Sequence, residues 1–372
     1  MIRFDAVSKV YPDGTAAVAD LSMDIPAGKI TVFVGPSGCG KTTSLRMINR
    51  MIEPTAGSVW IDGVDTRSVD APTLRRGIGY VIQNAGLFPH RTISDNIATV
   101  PVLQGASRRE SRRAALDLMA RVGLGAELAE RYPAQLSGGQ QQRVGVARAL
   151  ASDPPVMLMD EPFSAVDPVV RTQLQEEFLR LQNDLGKTIV FVTHDIDEAV
   201  KLGDRIAVFA VGGRLAQVAA PADLLHQPAD DFVADFVGRD RGFRALSFTE
   251  AQGLDVRPEP TLRLGDSAGP PDGADDRWLL VVDDDGRPRG WIDRQDRAEQ
   301  QVTAGELRLG GTLVSEGSSM RTALDAALSS PSGRGVVVDA NGAVKGTVTA
   351  AGVMSAIDAA AREPAAVPAE SR

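Results

Sequence analysis

The first 240 residues predict an α/β domain with a largely parallel central sheet. Two observations carry that prediction. Short runs rich in β-branched and aromatic residues alternate with longer stretches of helical character. One of those runs, ITVFV, opens straight into a glycine-rich loop that is followed by a helical stretch. Further along, residues 278–358 predict a smaller α+β domain built on two similar hairpins.

The strands read, in chain order, as IRFDAVSKVY, KITVFVG, VMLMDEP, TIVFVTH and RIAVFA. Helices are expected between several of them, over 42–51, 108–122 and 169–185. ALDLMARVGL, which overlaps the end of the second of these, has its apolar residues at helical spacing. Composition changes over 241–277, where RPEPTLRLGDSAGPPDGADD is rich in Pro, Gly and Asp, and this stretch reads as a linker and the start of the tail domain. WLLVVDDDGRPRGWID and GVVVDANGAVKGTVTA then repeat one pattern: an apolar run, Asp, a Gly turn and a second strand. Residues 359–372 are expected to form a disordered tail.

The balance of the chain excludes several classes. Among 372 residues 43% are hydrophobic, enough to bury a core, and the net charge of −9 argues against a nucleic-acid partner. No apolar run is long enough to cross a bilayer, and the N-terminus lacks the pattern of a secretory leader. Cys39 stands alone, so no internal disulfide forms, which suits a reducing cytoplasm. It reads as a small loop filler, although a thiol at a helix N-terminus can also be activated.

Gly35-Pro-Ser37-Gly38-Cys-Gly40-Lys41-Thr42 matches GxxxxGK[ST] in the strand-to-helix setting that this motif needs. The glycines let backbone N–H groups turn inward around phosphates, and the following helix points its positive end at the same anion. Lys41 can reach the terminal phosphates, the Thr42 hydroxyl can ligate Mg²⁺, and Thr43 continues the cradle. VMLMDE ends an apolar strand in two carboxylates. Asp160 suits the Mg²⁺ shell, and Glu161 can orient and deprotonate an attacking water.

Leu136-Ser137-Gly138-Gly139-Gln140, followed by QQRVGVARAL and then by Asp160, resembles the signature of ABC ATPases. The resemblance covers residues 1 to about 240 and implies a P-loop NTPase fold. It implies further roles. Gln83 would be the Q-loop glutamine, touching the Mg²⁺ site and the hydrolytic centre. Asp167 would belong to the D-loop, His194 would be the switch histidine, and Tyr11 would stack on adenine. Two copies would face head to tail. Each ATP would then meet the phosphate loop, Asp160, Glu161 and His194 of one copy, and Ser137, Gly138, Gly139 and Gln140 of the other. Leu87, Phe88 and Ile93 would line a groove for a helix of a membrane subunit.

GKTTSLRMINRMIEPTAG, VIQNAGLFPHRTISDNIATVP and DDFVADFVGRDRG narrow the resemblance to ATPase subunits of osmoprotectant importers. Those subunits work at the cytoplasmic face of the membrane. Their partners are integral-membrane permeases and, indirectly, an extracytoplasmic substrate-binding protein. The cargo would be a quaternary amine such as glycine betaine, choline or carnitine, the alternative being another small solute. The C-terminal hairpins are similar to a tandem CBS module. The match is degenerate: Thr349 is followed by Gly352 where an acid is expected, and Asp293 stands where a hydroxyl is expected, with Asp296 as its acid.

Overall fold

The computed structural model describes residues 1–83, 86–164, 166–269, 277–295 and 300–362. The chain divides into two compact units, Met1–Arg239 and Asp240–Arg372.

The first unit holds strands β1 (Ile2–Val10), β2 (Ala16–Ile25), β3 (Ile30–Val34), β4 (Ala56–Ile61), β5 (Val64–Asp65), β6 (Ile78–Val81), β7 (Val156–Asp160), β8 (Thr188–Val192), β9 (Arg205–Ala210) and β10 (Arg214–Ala219). Its helices are α1 (Lys41–Ile48), α2 (Ala71–Arg76), α3 (Ile93–Ile97), α4 (Thr99–Leu103), α5 (Arg108–Arg121), α6 (Gly138–Leu150), α7 (Pro168–Leu185), α8 (Ile196–Leu202), α9 (Pro221–His226) and α10 (Asp231–Val237).

Six strands form one sheet in the order β10-β9-β3-β8-β7-β6, parallel except for β10 at the edge. Every residue of β3, β7 and β8 is buried. That is the physical sense of runs such as ITVFV and TIVFV, because a parallel sheet covered on both faces has no polar side to show. IRFDAVSKVY differs. Here β1 lies in a separate antiparallel sheet, in the order β2-β1-β4-β5. Its burial begins in strict alternation, with Ile2 and Phe4 inward and Arg3 and Asp5 outward, as one solvated face requires. The two sheets share a core in which Phe33 of β3 packs against Phe4 (6.4 Å between ring centres) and Phe209 (5.1 Å). Such aromatic pairs contribute about 0.5–1.5 kcal/mol each beyond the area they bury.

The second unit contains α11 (Arg241–Ala245), β11 (Thr261–Arg263), β12 (Ser267–Ala268), β13 (Trp278–Val282), β14 (Pro288–Asp293), β15 (Gln300–Gln301), α12 (Met320–Ser329), β16 (Arg334–Val338), β17 (Val344–Thr349) and α13 (Ala350–Arg362). The hairpins β13–β14 and β16–β17 are built alike. Val281 faces Gly290 in one and Val337 faces Gly346 in the other, each followed by a register shift. In both turns the leading Asp side chain, Asp283 or Asp339, accepts two backbone N–H bonds. Leu280, Trp291, Val336 and Val338 form one core cluster that joins the hairpins.

One expectation is sharpened and one changes. The second unit starts within 241–277: α11 opens it, Arg257 exchanges backbone hydrogen bonds with Thr347, and β11 pairs in parallel with β13. Proline and glycine density hid these short pairings, because the partner strands lie far along the chain. Residues 359–362, expected in the tail, are helical instead, since α13 continues to Arg362 on an alanine-rich run with high helix propensity. Residues 363–372 and Asp296 lie outside the described residues.

Asp95 of α3 is clamped by α5. Arg112 donates to both its oxygens at 2.8 and 2.9 Å, and Arg108 to one at 3.1 Å. The Arg112 bonds, with Arg108 behind them, hold the Asp95 carboxyl at about 2, below its ordinary 3.8. A carboxyl lowered in the folded state adds stability that is complete above 3.8 and is lost as pH falls through about 2. Both arginines are partly solvated, so the contribution near neutral pH is about 1 kcal/mol. Denaturant titrations should show Asp95→Asn weaker than the parent at neutral pH, with the gap closing towards pH 2. A gap that does not change with pH would remove the clamp from the stability account.

Candidate active site

Four neighbouring strands of the parallel sheet end at one edge. In sheet order they are β3, β8, β7 and β6, and the chain beyond them carries the phosphate loop, His194, Asp160 with Glu161, and Gln83. Side chains far apart in sequence therefore arrive side by side, at the C-terminal ends where open α/β sheets bind ligands.

The phosphate loop closes tightly on itself. Gly35 has φ 147° and Gly40 has φ 95°. A Cβ on Gly35 would stand 2.3 Å from the Phe209 carbonyl oxygen, and one on Gly40 would stand 2.1 Å from that of Ala17. Both positions admit only glycine, on conformation and on space. The buried Lys41 ammonium donates to the carbonyls of Gly35 (2.8 Å) and Pro36 (2.9 Å) inside the loop. Ser37 and Gly38 are exposed at its crest, and Thr42 and Thr43 begin α1 half-buried. Cys39 is fully buried, and burial pushes its thiol up despite Lys41 beside it, so it packs the loop and is not an activated thiol.

The acidic strand end meets that loop. The Thr42 hydroxyl donates to Asp160 Oδ1 at 2.9 Å, and Arg46 Nη2 lies 3.4 Å from Oδ2. A hydroxyl beside a buried carboxylate is a hard-oxygen donor set, the chemistry that suits Mg²⁺. Glu161 follows at φ 46°, in the left-handed region. Its N–H still bonds the Val192 carbonyl at 3.0 Å, so the strand turns away one residue after its last ladder bond. A strained non-glycine residue at such a point is the usual mark of a functional position. Two loops converge on its carboxylate. Gln83 Nε2 donates to Oε2 at 3.3 Å, and His194 Nδ1 stands 3.3 Å from the same atom. Glu161, His194, Ser164 and Thr193 line one small cavity.

Other sites that the sequence indicates sit apart. Ser137 caps α6: its hydroxyl accepts from the Gln140 N–H at 3.3 Å, and Gln140 Oε1 accepts from the Ser137 N–H at 2.9 Å. Gly138 and Gly139 form the first turn, with Gly138 exposed. Among the described residues, no hydrogen bond of these four reaches the phosphate loop. Asp167 caps α7 through the Val169 N–H at 3.0 Å. Tyr11 lies in the turn between β1 and β2, under the Lys9 ammonium (5.5 Å from the ring centre). The same hairpin carries Ala17, whose carbonyl abuts Gly40.

One expected surface is corrected. Ile93 is fully buried in the core of the helical layer and lines no groove. Phe88 is exposed, and it lines a hollow of about 370 Å³ with Arg91, Val102 and Leu103. Sequence reasoning also missed Arg46, which binds Asp160 and whose Nε donates to the Tyr80 hydroxyl at 3.4 Å. Its spacing of four from Thr42 on a helix was the available signal. In the second unit the Thr349 hydroxyl accepts the Gly352 N–H at 3.1 Å, and Asp293 is bound by Arg277 at 2.7 Å.

The phosphate loop, the buried aspartate beside its threonine and the strained glutamate next to them define a P-loop nucleoside-triphosphatase. Comparison with known proteins places it more closely. The model of the ABC transporter family matches residues 18–164. The osmoprotectant import ATP-binding protein OsmV of Salmonella typhimurium is 47% identical over 306 residues, covering 80% of each chain. The glycine betaine uptake system ATP-binding protein YehX of Escherichia coli is 46% identical, over 80% of this chain and 98% of that one. A solved ATP-binding cassette, a dimer in a post-hydrolysis state with ADP and Pi, superposes with a TM-score of 0.55 at 35% identity, covering 59% of this chain and 99% of that one. The chain belongs to the ATP-binding subunits of ABC transporters, and it is a nucleotide-binding ATPase. No helix among the described residues is long and apolar enough to cross a membrane.

Proposed function

We propose that two copies of this chain power the import of a quaternary-amine osmoprotectant through separate membrane permease subunits fed by an extracytoplasmic binding protein. The copies work at the cytoplasmic face of the membrane. The observation that carries the hydrolytic reading is the meeting of Gln83 and His194, from two separate loops, on one oxygen of Glu161. The cargo follows from relatives named for import of osmoprotectants, choline and glycine betaine.

In this reading the loop from Gly35 to Thr43 wraps the phosphates, and Lys41 exchanges its loop carbonyls for phosphate oxygens. Thr42, Asp160 and Gln83 would hold Mg²⁺, which would supply neutralising charge to the phosphates when bound. Glu161 takes the proton from the attacking water, and His194 and Gln83 fix its carboxylate in place. Tyr11 stacks on the adenine. Ser137, Gly138, Gly139 and Gln140 of one copy close over the ATP of the other, Asp167 lies at the joint, and Phe88 faces the permease. The second unit acts as a CBS-like regulatory tail. Its two equivalent hairpins support this, as does its last segment, where Val314 bridges Val337 in parallel ahead of α12, β16, β17 and α13. The Thr349 bond to Gly352 and the Asp293 bond to Arg277 weigh against a nucleotide in the tail.

Three outcomes check these assignments. Glu161→Gln should keep ATP binding while turnover drops by roughly 10²–10⁴-fold, the span of general-base catalysis, and should accumulate ATP-bound dimer on gel filtration. Near-parental turnover would end the role of Glu161. Ser137→Arg should leave nucleotide binding by single copies intact and abolish ATP-driven dimerisation. ATPase activity in that variant that is unimpaired and independent of protein concentration would rule out the shared site. If the tail is a brake held by surface ion pairs, which weaken as salt rises, it would make transport depend on ionic strength, and a transporter whose chain stops after Gly242 should, in liposomes, transport without needing raised salt. An unchanged salt requirement would show that the tail is not the sensor.

A further inference from the structure

Behind the hydrolytic cavity lies a carboxylate that the assignments above leave unused. Glu198 sits on α8 and is 7% exposed. Its Oε1 accepts from the Gln175 amide of α7 at 3.0 Å, and Gln175 is just as deeply buried. Thr193 lines the same cavity and favours the charged form of that carboxyl, and its hydroxyl oxygen accepts the Asp195 N–H at 3.1 Å. Thr193 and Asp195 are the two chain neighbours of His194. The Glu198 N–H also donates to Asp195 Oδ1 at 3.3 Å, so this residue borders the turn that carries the imidazole.

The other end of the connection is α7. Arg171 stands one turn ahead of Gln175, and its positive charge acts on the Glu198 carboxyl. Arg171 Nη2 donates to the Val166 carbonyl at 3.1 Å, in the loop that ends at Asp167. Arg171 and Glu198 line the same cavity as Glu161 and His194. Burial pushes the Glu198 carboxyl up, while Thr193 and Gln175 favour its charged form. A carboxyl buried among polar partners is weak support for stability, since an apolar residue of like size often does as well.

We propose that Glu198 is a positioning residue for ATP hydrolysis. It ties the turn 193–195 to α7 and, through Arg171, to the loop before Asp167, so that His194 meets Glu161 only when that loop is in place. In the proposed dimer this loop lies at the joint between copies, so the connection would make hydrolysis in one site sensitive to closure of the pair.

This rests on the assignment of His194 to the hydrolytic centre, and the test separates the two. Turnover and KM for ATP are measured on the full chain for Glu198→Gln and Gln175→Leu, each alone and combined with His194→Ala. A misplaced catalytic group costs up to about 10²-fold, so Glu198→Gln should lower kcat by roughly 10–10²-fold with KM within about twofold. In the His194→Ala background the same change should cost less than about twofold, because the group it positions is gone. Should Glu198→Gln fail to fold, Gln175→Leu removes one hydrogen bond to the carboxylate and is read in the same way. Equal fold-losses with and without His194 would mean a structural role and overturn the proposal, as would parental kcat in both variants. If His194→Ala itself turns over like the parent, the assignment of His194 falls, and the inference with it.

Discussion

The register of four parallel strands is the constraint on which the site depends. Phe33 pairs with Val192, and Asp160 pairs with the same Val192 from the other side. Three strand ends are thereby levelled, and β6 joins through Val81 opposite Met159. Alternate residues of a strand point to opposite faces, so a slip of one residue in β7 would turn the Asp160 side chain away from Thr42. The continuous apolar runs make that slip expensive, since both faces of these strands are buried. Hydrophobic burial thus sets the placement of the polar groups, and the polar groups add little to the fold.

The antiparallel sheet has a different task. It reaches the site through backbone rather than side chains, because the Ala17 carbonyl occupies the space that a Cβ on Gly40 would need. A Cβ on Gly213, in the turn between β9 and β10, would meet that carbonyl at 2.2 Å, and the Gly213 carbonyl accepts the Ala19 N–H at 3.1 Å. Two glycines from distant segments therefore close on a single peptide group of β2. The phosphate loop is held from both sides by main chain, which leaves its own N–H groups to turn inward. Phe33 packs at a tilt against Phe4 of the antiparallel sheet and against Phe209 of its own, which joins the two sheets in one core.

Much of this was legible in the sequence because local patterns encode it. GxxxxGK[ST] writes a phosphate loop into eight residues, and an apolar run ending in acids marks a buried strand whose end meets that loop. What escaped was encoded in pairings. IRFDAVSKVY reads as a strand, yet only its alternation hints that it belongs to the antiparallel sheet. Ile93 and Phe88 are apolar residues five apart, and the fold alone decides that Ile93, at the start of α3, is buried and Phe88 exposed. Gln175 and Glu198 look like ordinary polar residues on two helices until the chain brings them within 3.0 Å. The short strand β11 follows a proline-rich segment and takes its meaning from β13, a partner that the local composition does not announce.

The first turn of α6 shows how local chemistry can prepare a surface for use elsewhere. Ser137 and Gln140 satisfy each other's backbone N–H groups, and such a box stabilises a helix start by about 1 kcal/mol. Accepting that bond leaves the Ser137 hydroxyl its proton to donate. Between these residues, Gly138 and Gly139 present N–H groups at the positive end of the helix with no side chain in front of them. Gly139 has a second reason to be glycine, since a Cβ there would lie 3.2 Å from Val170 on α7. The packing that holds α6 against α7 and the bareness that suits a phosphate thus call for the same residue. The helix start is exposed and complete in itself, and within its own chain it donates nothing to the phosphate loop, which is the arrangement that a site shared between two copies needs.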